Sequence, residues 1–204
     1  MALDRATFGI TEESLQFMVL DKKDMPEEFQ GFQVVREGSL NNETMAEHGF
    51  AGNTPERFRA VGRVTGFMRE LGETSTAVTG DGFNFLGATV AHLFDNPKSV
   101  TEWMHEVFVK DFEENVGESV GEDQQLISTQ RLETSGFFDE AVALKVLQGG
   151  AAGLISSTVL DFRVGRILGV AFVGTVGDHE RLDLATQLAQ SLEKRIVQVV
   201  LGAT

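Results

Sequence analysis

Two stretches of this chain repeat apolar residues every three to four positions, and both lie among stretches that repeat them every second position. Val100, Trp103, Met104, Val107, Phe108 and Phe112 form the first helical stripe, with Thr101, Glu102, His105, Glu106, Lys110 and Glu113 opposite it. Leu184, Ala185, Leu188, Ala189, Leu192, Ile196 and Val199 form the second. Between them Leu160, Phe162 and Val164 alternate up to the tight turn at Val164-Gly165, and Leu168, Val170 and Phe172 alternate after it. A striped helix and an alternating strand each carry one apolar face, and burying both means packing one on the other. The pattern predicts an α+β fold: a mostly antiparallel sheet packed by helices over residues 97–115 and 179–200, both helices drying one face of it.

Local signals place the boundaries. Pro97 opens the first long helix, where Ser99 and Glu102 have capping-box spacing. Asp178 is placed to cap the second. Strands are expected over residues 32–37, 64–71, 83–94, 126–132, 141–147, 154–164 and 166–176. Gly80-Asp81-Gly82, between Thr76-Ala77-Val78 and Phe83, reads as a hairpin turn. Asn42 to His48 reads as a helical turn, and Thr54-Pro55 as a helix start. Thr11-Glu12-Glu13 suits a short helix, while residues 15–20 suit a strand equally.

No Pro/Gly/Ser-rich linker interrupts the 204 residues, so one domain over 1–204 is expected. Leu86-Gly87-Ala88-Thr89-Val90-Ala91 leads through Asp95 into one striped helix, and Leu168-Gly169-Val170-Ala171-Phe172-Val173 through Asp178 into the other. This suggests two duplicated strand–strand–helix halves, residues 60–118 and 124–204, whose seam would hold a pocket.

Function classes fall away by composition. With no Cys, thiolate catalysis, Cys-zinc sites and iron–sulfur clusters are excluded. A net charge of −14 repels phosphate backbones, so nucleic-acid binding is not expected. No apolar run reaches the roughly 20 residues that span a bilayer. The first ten residues lack the pattern of a secretory signal, which predicts a cytoplasmic protein; if residues precede Met1 in the native protein, export or lipid anchoring is the alternative.

No motif assembles a catalytic group. His48, His92, His105 and His179 never stand four apart, and no metal is expected. The acids at positions 111, 113, 114, 118, 122 and 123 lack the pattern of a calcium loop. Gly149-Gly150-Ala151-Ala152-Gly153 runs into a strand rather than a helix, so it forms a turn and no phosphate cradle. Ser156-Ser157 lie inside a strand, without the sharp turn that exposes a serine nucleophile. No cofactor is expected. Arg57, Arg59, Arg63 and Arg69 concentrate positive charge and are candidate ligands for a carboxylate or phosphate, or partners of surface acids such as Glu56 and Glu70. Phe137 and Phe138, beside Gly136 in a loop, are candidate partner contacts, a lid, or plugs of the core. The 16 Phe residues would pack a core or line an apolar cavity.

Asp24-Met25-Pro26 to Gly31-Phe32, then Val35, Glu37, the run from Arg57 to Phe67, and the hairpin Phe162-Arg163-Val164-Gly165-Arg166 resemble uncharacterised bacterial proteins. These are often exported or lipid-anchored. The element order resembles the PsbP/Mog1-like α/β/α sandwich, which includes mycobacterial lipoproteins of the LpqN type. The resemblance implies a fold and supplies no catalytic residues. The function expected is a non-catalytic binding or interaction module for a small apolar ligand or a protein partner. The alternatives are an enzyme whose acids converge only in three dimensions, towards which the sequence does not lean, and a self-assembling structural subunit. The oligomeric state is left open.

Overall fold

The computed structural model describes residues 2–73, 80–120, 124–151 and 153–202. Eight strands form one antiparallel sheet: β1 (Gln33–Ser39), β2 (Arg63–Gly72), β3 (Asn84–Phe94), β4 (Ser119–Val120), β5 (Gln124–Leu132), β6 (Ala141–Gly150), β7 (Gly153–Val164) and β8 (Ile167–Val176). Their order is β1-β2-β3-β8-β7-β6-β5-β4. Hairpins join β2 to β3 and β7 to β8, and the two hairpins meet inside the open sheet where β3 pairs with β8, Val90 opposite Val170. The α+β expectation holds, and the strands start and stop within a few residues of their predicted bounds. Thr76-Ala77-Val78, like Glu122, Asp123 and Ala152, lie outside the described residues.

The helices are short at the N-terminus: α1 (Ala2–Ala6), α2 (Asn42–Glu47) and α3 (Pro55–Ala60), with 3-10 turns between α1 and β1. Residues 12–17 form a six-residue 3-10 helix with Thr11 at its N-cap, so of the two forms expected here the short helix is found and the strand is not. Then come α4 over residues 97–114 and α5 (Leu182–Val200). Asn96, not Ser99, caps α4: its Oδ1 accepts from Ser99 N at 3.1 Å. Asp178 does not cap α5, which begins four residues later behind Arg181; Asp178 pairs with Lys145. At α4 the capping residue is the one the turn geometry presents, which spacing alone does not encode, and at α5 the N-cap residue Arg181 makes no side-chain capping bond.

The two long helices do not share a face. Leu160, Phe162 and Val164 of β7 and Ala171 and Val173 of β8 pack with Leu184, Leu188, Leu192 and Ile196 of α5. Leu168 of β8 and Phe94 of β3 point the other way, into Val100, Trp103, Met104 and Val107 of α4. Alternation along a strand sends successive side chains to opposite faces, so both faces of this sheet are dried. The N-terminal segment completes the α5 face with Ile10, Leu15, Met18, Phe29 and Phe32. Arg166, in the β7–β8 turn, fastens that segment down. Its guanidinium donates to the carbonyls of Thr7, Ile10 and Phe94 at 2.8–3.0 Å, under the ring of Phe8. The β7–β8 turn is thus a structural clamp.

Candidate functional site

On the α4 face the packing is incomplete. A cavity of about 250 Å³ lies between α4, the α2–α3 region and the sheet. Phe50, Phe58, Phe108, Phe112, Val107 and Val170 supply most of its wall. Trp103 stands in it, 5.1 Å from Phe58 and 5.5 Å from Phe94 between ring centroids. The seven residues Trp103–Val109 are wound as a π-helix in the middle of α4. Such a widened turn is rare and frequent at functional sites; here it carries Trp103, Val107 and Phe108 over the cavity.

The floor is not apolar. Arg63, His92 and Asp161 are all buried on this face. Ionisable groups are thus sealed beneath α4, behind the apolar stripe that the helix presents. Arg63, at the start of β2, has no acid paired with it among the described residues. Its guanidinium donates to Asn42 Oδ1 at 2.6 Å, Leu40 O at 2.7 Å and His92 Nδ1 at 2.9 Å, and lies 5.8 Å from the Trp103 ring. Burial pulls its pKa down to about 9, which keeps it charged at neutral pH. Gly66 makes the Arg63–His92 pair possible, because a Cβ there would meet His92 Nδ1 and lie 3.0 Å from Arg63 Nη2.

His92 lines the cavity from β3. Burial, and then the charge of Arg63, push its pKa well below the ordinary value, so the ring is neutral. Arginine only donates, so Nδ1 must accept and the proton sits on Nε2. Asp161, on β7 across β8 from the β3 side, also lines the cavity. Its Oδ1 is sealed without a hydrogen-bond partner. Burial raises its pKa well above the ordinary value, favouring the uncharged acid.

At the mouth, Asp111 of α4 is held by Arg57 through two hydrogen bonds of 2.6 and 2.7 Å. His48 Nδ1 meets Thr44 O at 3.0 Å. The four candidate arginines therefore part company. Arg57 braces the mouth; Arg59 pairs with Glu43 and Glu56 at the surface. Arg63 is buried behind His92, and Arg69 pairs with Asp21 and Glu37 at 2.6 and 2.8 Å. Phe137 stacks on Phe162 at 5.4 Å, whereas Phe138 is 77% exposed. Sequence reading missed His92 and Asp161. The one local signal is at Asp161, an ionisable residue between Leu160 and Phe162 in an otherwise apolar stretch of strand.

Among the described residues no cluster of His, Asp and Glu could hold a metal ion, and no helix is long and apolar enough to cross a membrane.

The class these features define is a three-layered α+β domain with helices on both faces of an antiparallel sheet and a cavity beneath one of them. Among solved structures it is similar to the extracellular domain of PknH from Mycobacterium tuberculosis, with a TM-score of 0.61, 9% identity, and coverage of 92% of this chain and 96% of that one. A putative uncharacterised protein from Mycobacterium smegmatis, an Rv0999 ortholog, aligns at a TM-score of 0.45 and 10% identity over 88% of this chain and 93% of that one. No protein-family model matches the chain, and no curated protein matches it significantly.

Proposed function

We propose that this chain is a non-catalytic binding module that takes a small, largely apolar molecule into the cavity under α4. The observation that carries this reading is an aromatic-walled space of about 250 Å³ with a few buried polar groups at its foot, the usual constitution of a ligand site. Two features weigh against an enzyme. The nitrogen of His92 that would be aligned by a carboxylate in a catalytic dyad accepts from Arg63 instead, which suppresses the basicity a general base needs. Asp161 has no nucleophile or base hydrogen-bonded to it. The finer kinship with PsbP/Mog1/LpqN-like proteins, and with it an extracellular setting, belongs to the same proposal and rests on the hairpin at residues 162–166.

Trp103 is the chain's single tryptophan, so its indole N–H gives one resonance that reports from the cavity wall. Titration with toluene is expected to shift that resonance in a saturable way. Val170→Phe, which fills the cavity from β8, is expected to weaken this binding at least ~10-fold, since an occupied void has no room for a guest. An unchanged indole resonance throughout the titration of the wild type would remove the reading.

A further inference from the structure

The polar groups at the foot of the cavity all point to one kind of guest. Among the described residues Arg63 is a buried cation without a carboxylate partner, and its Nε is sealed with no acceptor. An uncompensated charge in a low-dielectric interior is costly, and an anion brought near it is held more strongly than in water. The guanidinium itself does not line the cavity; His92 stands between. Because Arg63 donates to Nδ1, the imidazole must offer a donor, Nε2–H, on its far side. No protein group accepts from that nitrogen among the described residues. The sealed unpartnered side-chain atoms there are Arg63 Nε, Asp161 Oδ1 and Arg163 Nε. His92 Nε2 is unpartnered but not sealed, so it opens on the cavity that the ring lines.

The imidazole is therefore a fixed relay, cation behind and donor in front. We propose that the cavity takes a small monocarboxylate with an apolar body, its carboxylate accepting the Nε2–H of His92 and its charge offset by Arg63 behind the ring. The body lies against Trp103, Phe58 and Phe108. It runs across β8 towards Asp161, two strand spacings or roughly 10 Å from β3, where the unpartnered carboxyl offers a second polar contact to a hydroxylated tail. This assignment of the ligand's chemistry rests on the binding reading above.

Three molecules of one shape separate the possibilities: 3-phenylpropionate, 3-phenylpropionamide and 3-phenylpropylamine, each titrated into the full chain at neutral pH while the Trp103 indole resonance is followed. The carboxylate is expected to bind at least ~10-fold more tightly than the amide, with the amine weakest. His92→Leu is expected to bring the carboxylate down to the affinity of the amide while leaving toluene binding in place, which also shows that the variant keeps its folded cavity. If that variant loses the toluene response too, the three-ligand comparison on the wild type decides alone. Equal affinities for carboxylate and amide, or a preference for the amine, overturn the proposed ligand class and leave the binding reading standing. No response to any of the three, nor to toluene, overturns both.

Discussion

Phe162→Ala is expected to lower the stability of the fold by about 3–5 kcal/mol, as truncating a fully enclosed aromatic ring does. Phe162 is wholly buried on the α5 face. Its ring stacks on Phe137 at 5.4 Å and covers Gly169 of the neighbouring strand so closely that a Cβ there would fall within the ring. A β7 backbone held on both sides cannot collapse into the space left behind. The loss is therefore expected near the upper end for core truncations. Urea denaturation followed by circular dichroism measures it. A loss under ~1 kcal/mol would show that α5 and its partners do not form the main core.

Asp161→Val is expected to do the reverse and raise stability by about 1–3 kcal/mol, the cost of a buried polar group left unpaired. For a domain of this size that is a rise in Tm of roughly 3–8 °C. Valine suits a mid-strand position, and Val142 and Val170 already lie beside Asp161 on the flanking strands. The sign of the pH dependence follows from the raised pKa of Asp161. The folded state keeps this proton at pH values where the unfolded chain has released it. Stability therefore falls as pH rises from the ordinary carboxylate range through the folded value, because the unfolded state then binds fewer protons than the native one. The advantage of the valine variant should grow from pH 4 to pH 7. All other carboxylates are common to both proteins and cancel in the difference. A residue that weakens the fold while lining a cavity fits a group kept for binding. A valine variant that is less stable than the wild type at both pH values would mean that Asp161 is paired in solution and is no orphan.

The expected losses of binding in Val170→Phe and in the carboxylate-to-amide exchange act on the other half of the site, the wall and His92. Phe162 faces α5 and is read apart from the cavity, whereas Val170 lies beside Asp161, so those two substitutions are measured singly and not combined.

The elements themselves were legible in the sequence. Alternation at Leu160, Phe162 and Val164 and the stripe from Leu184 to Ile196 report burial that repeats within one element, and burial of that kind is written locally. The α+β class followed from them, as did the Pro97 and Thr54-Pro55 helix starts. The site was not legible in this way. His92 sits in an alternating strand where nothing nearby distinguishes it, and Arg63 reads as one of a cluster of surface arginines. Their meeting depends on β2 pairing with β3 and on Gly66 leaving room between strands. Which face each helix covers was equally out of reach. A strand with apolar residues at both parities, as in Ile167-Leu168, can be dried from either side, and local pattern carries no sign for the direction of the connecting chain.

The amino-acid order determined by itself which segments are pleated and which are wound, because each segment's apolar residues recur with the period of its own backbone. Only the tertiary structure decided that α4 and α5 take opposite faces, and that His92 and Asp161 share the floor of one cavity with Arg63 behind His92. Those outcomes depend on strand order and on the distance between residues far apart along the chain, and neither leaves a periodic trace in the segments it joins.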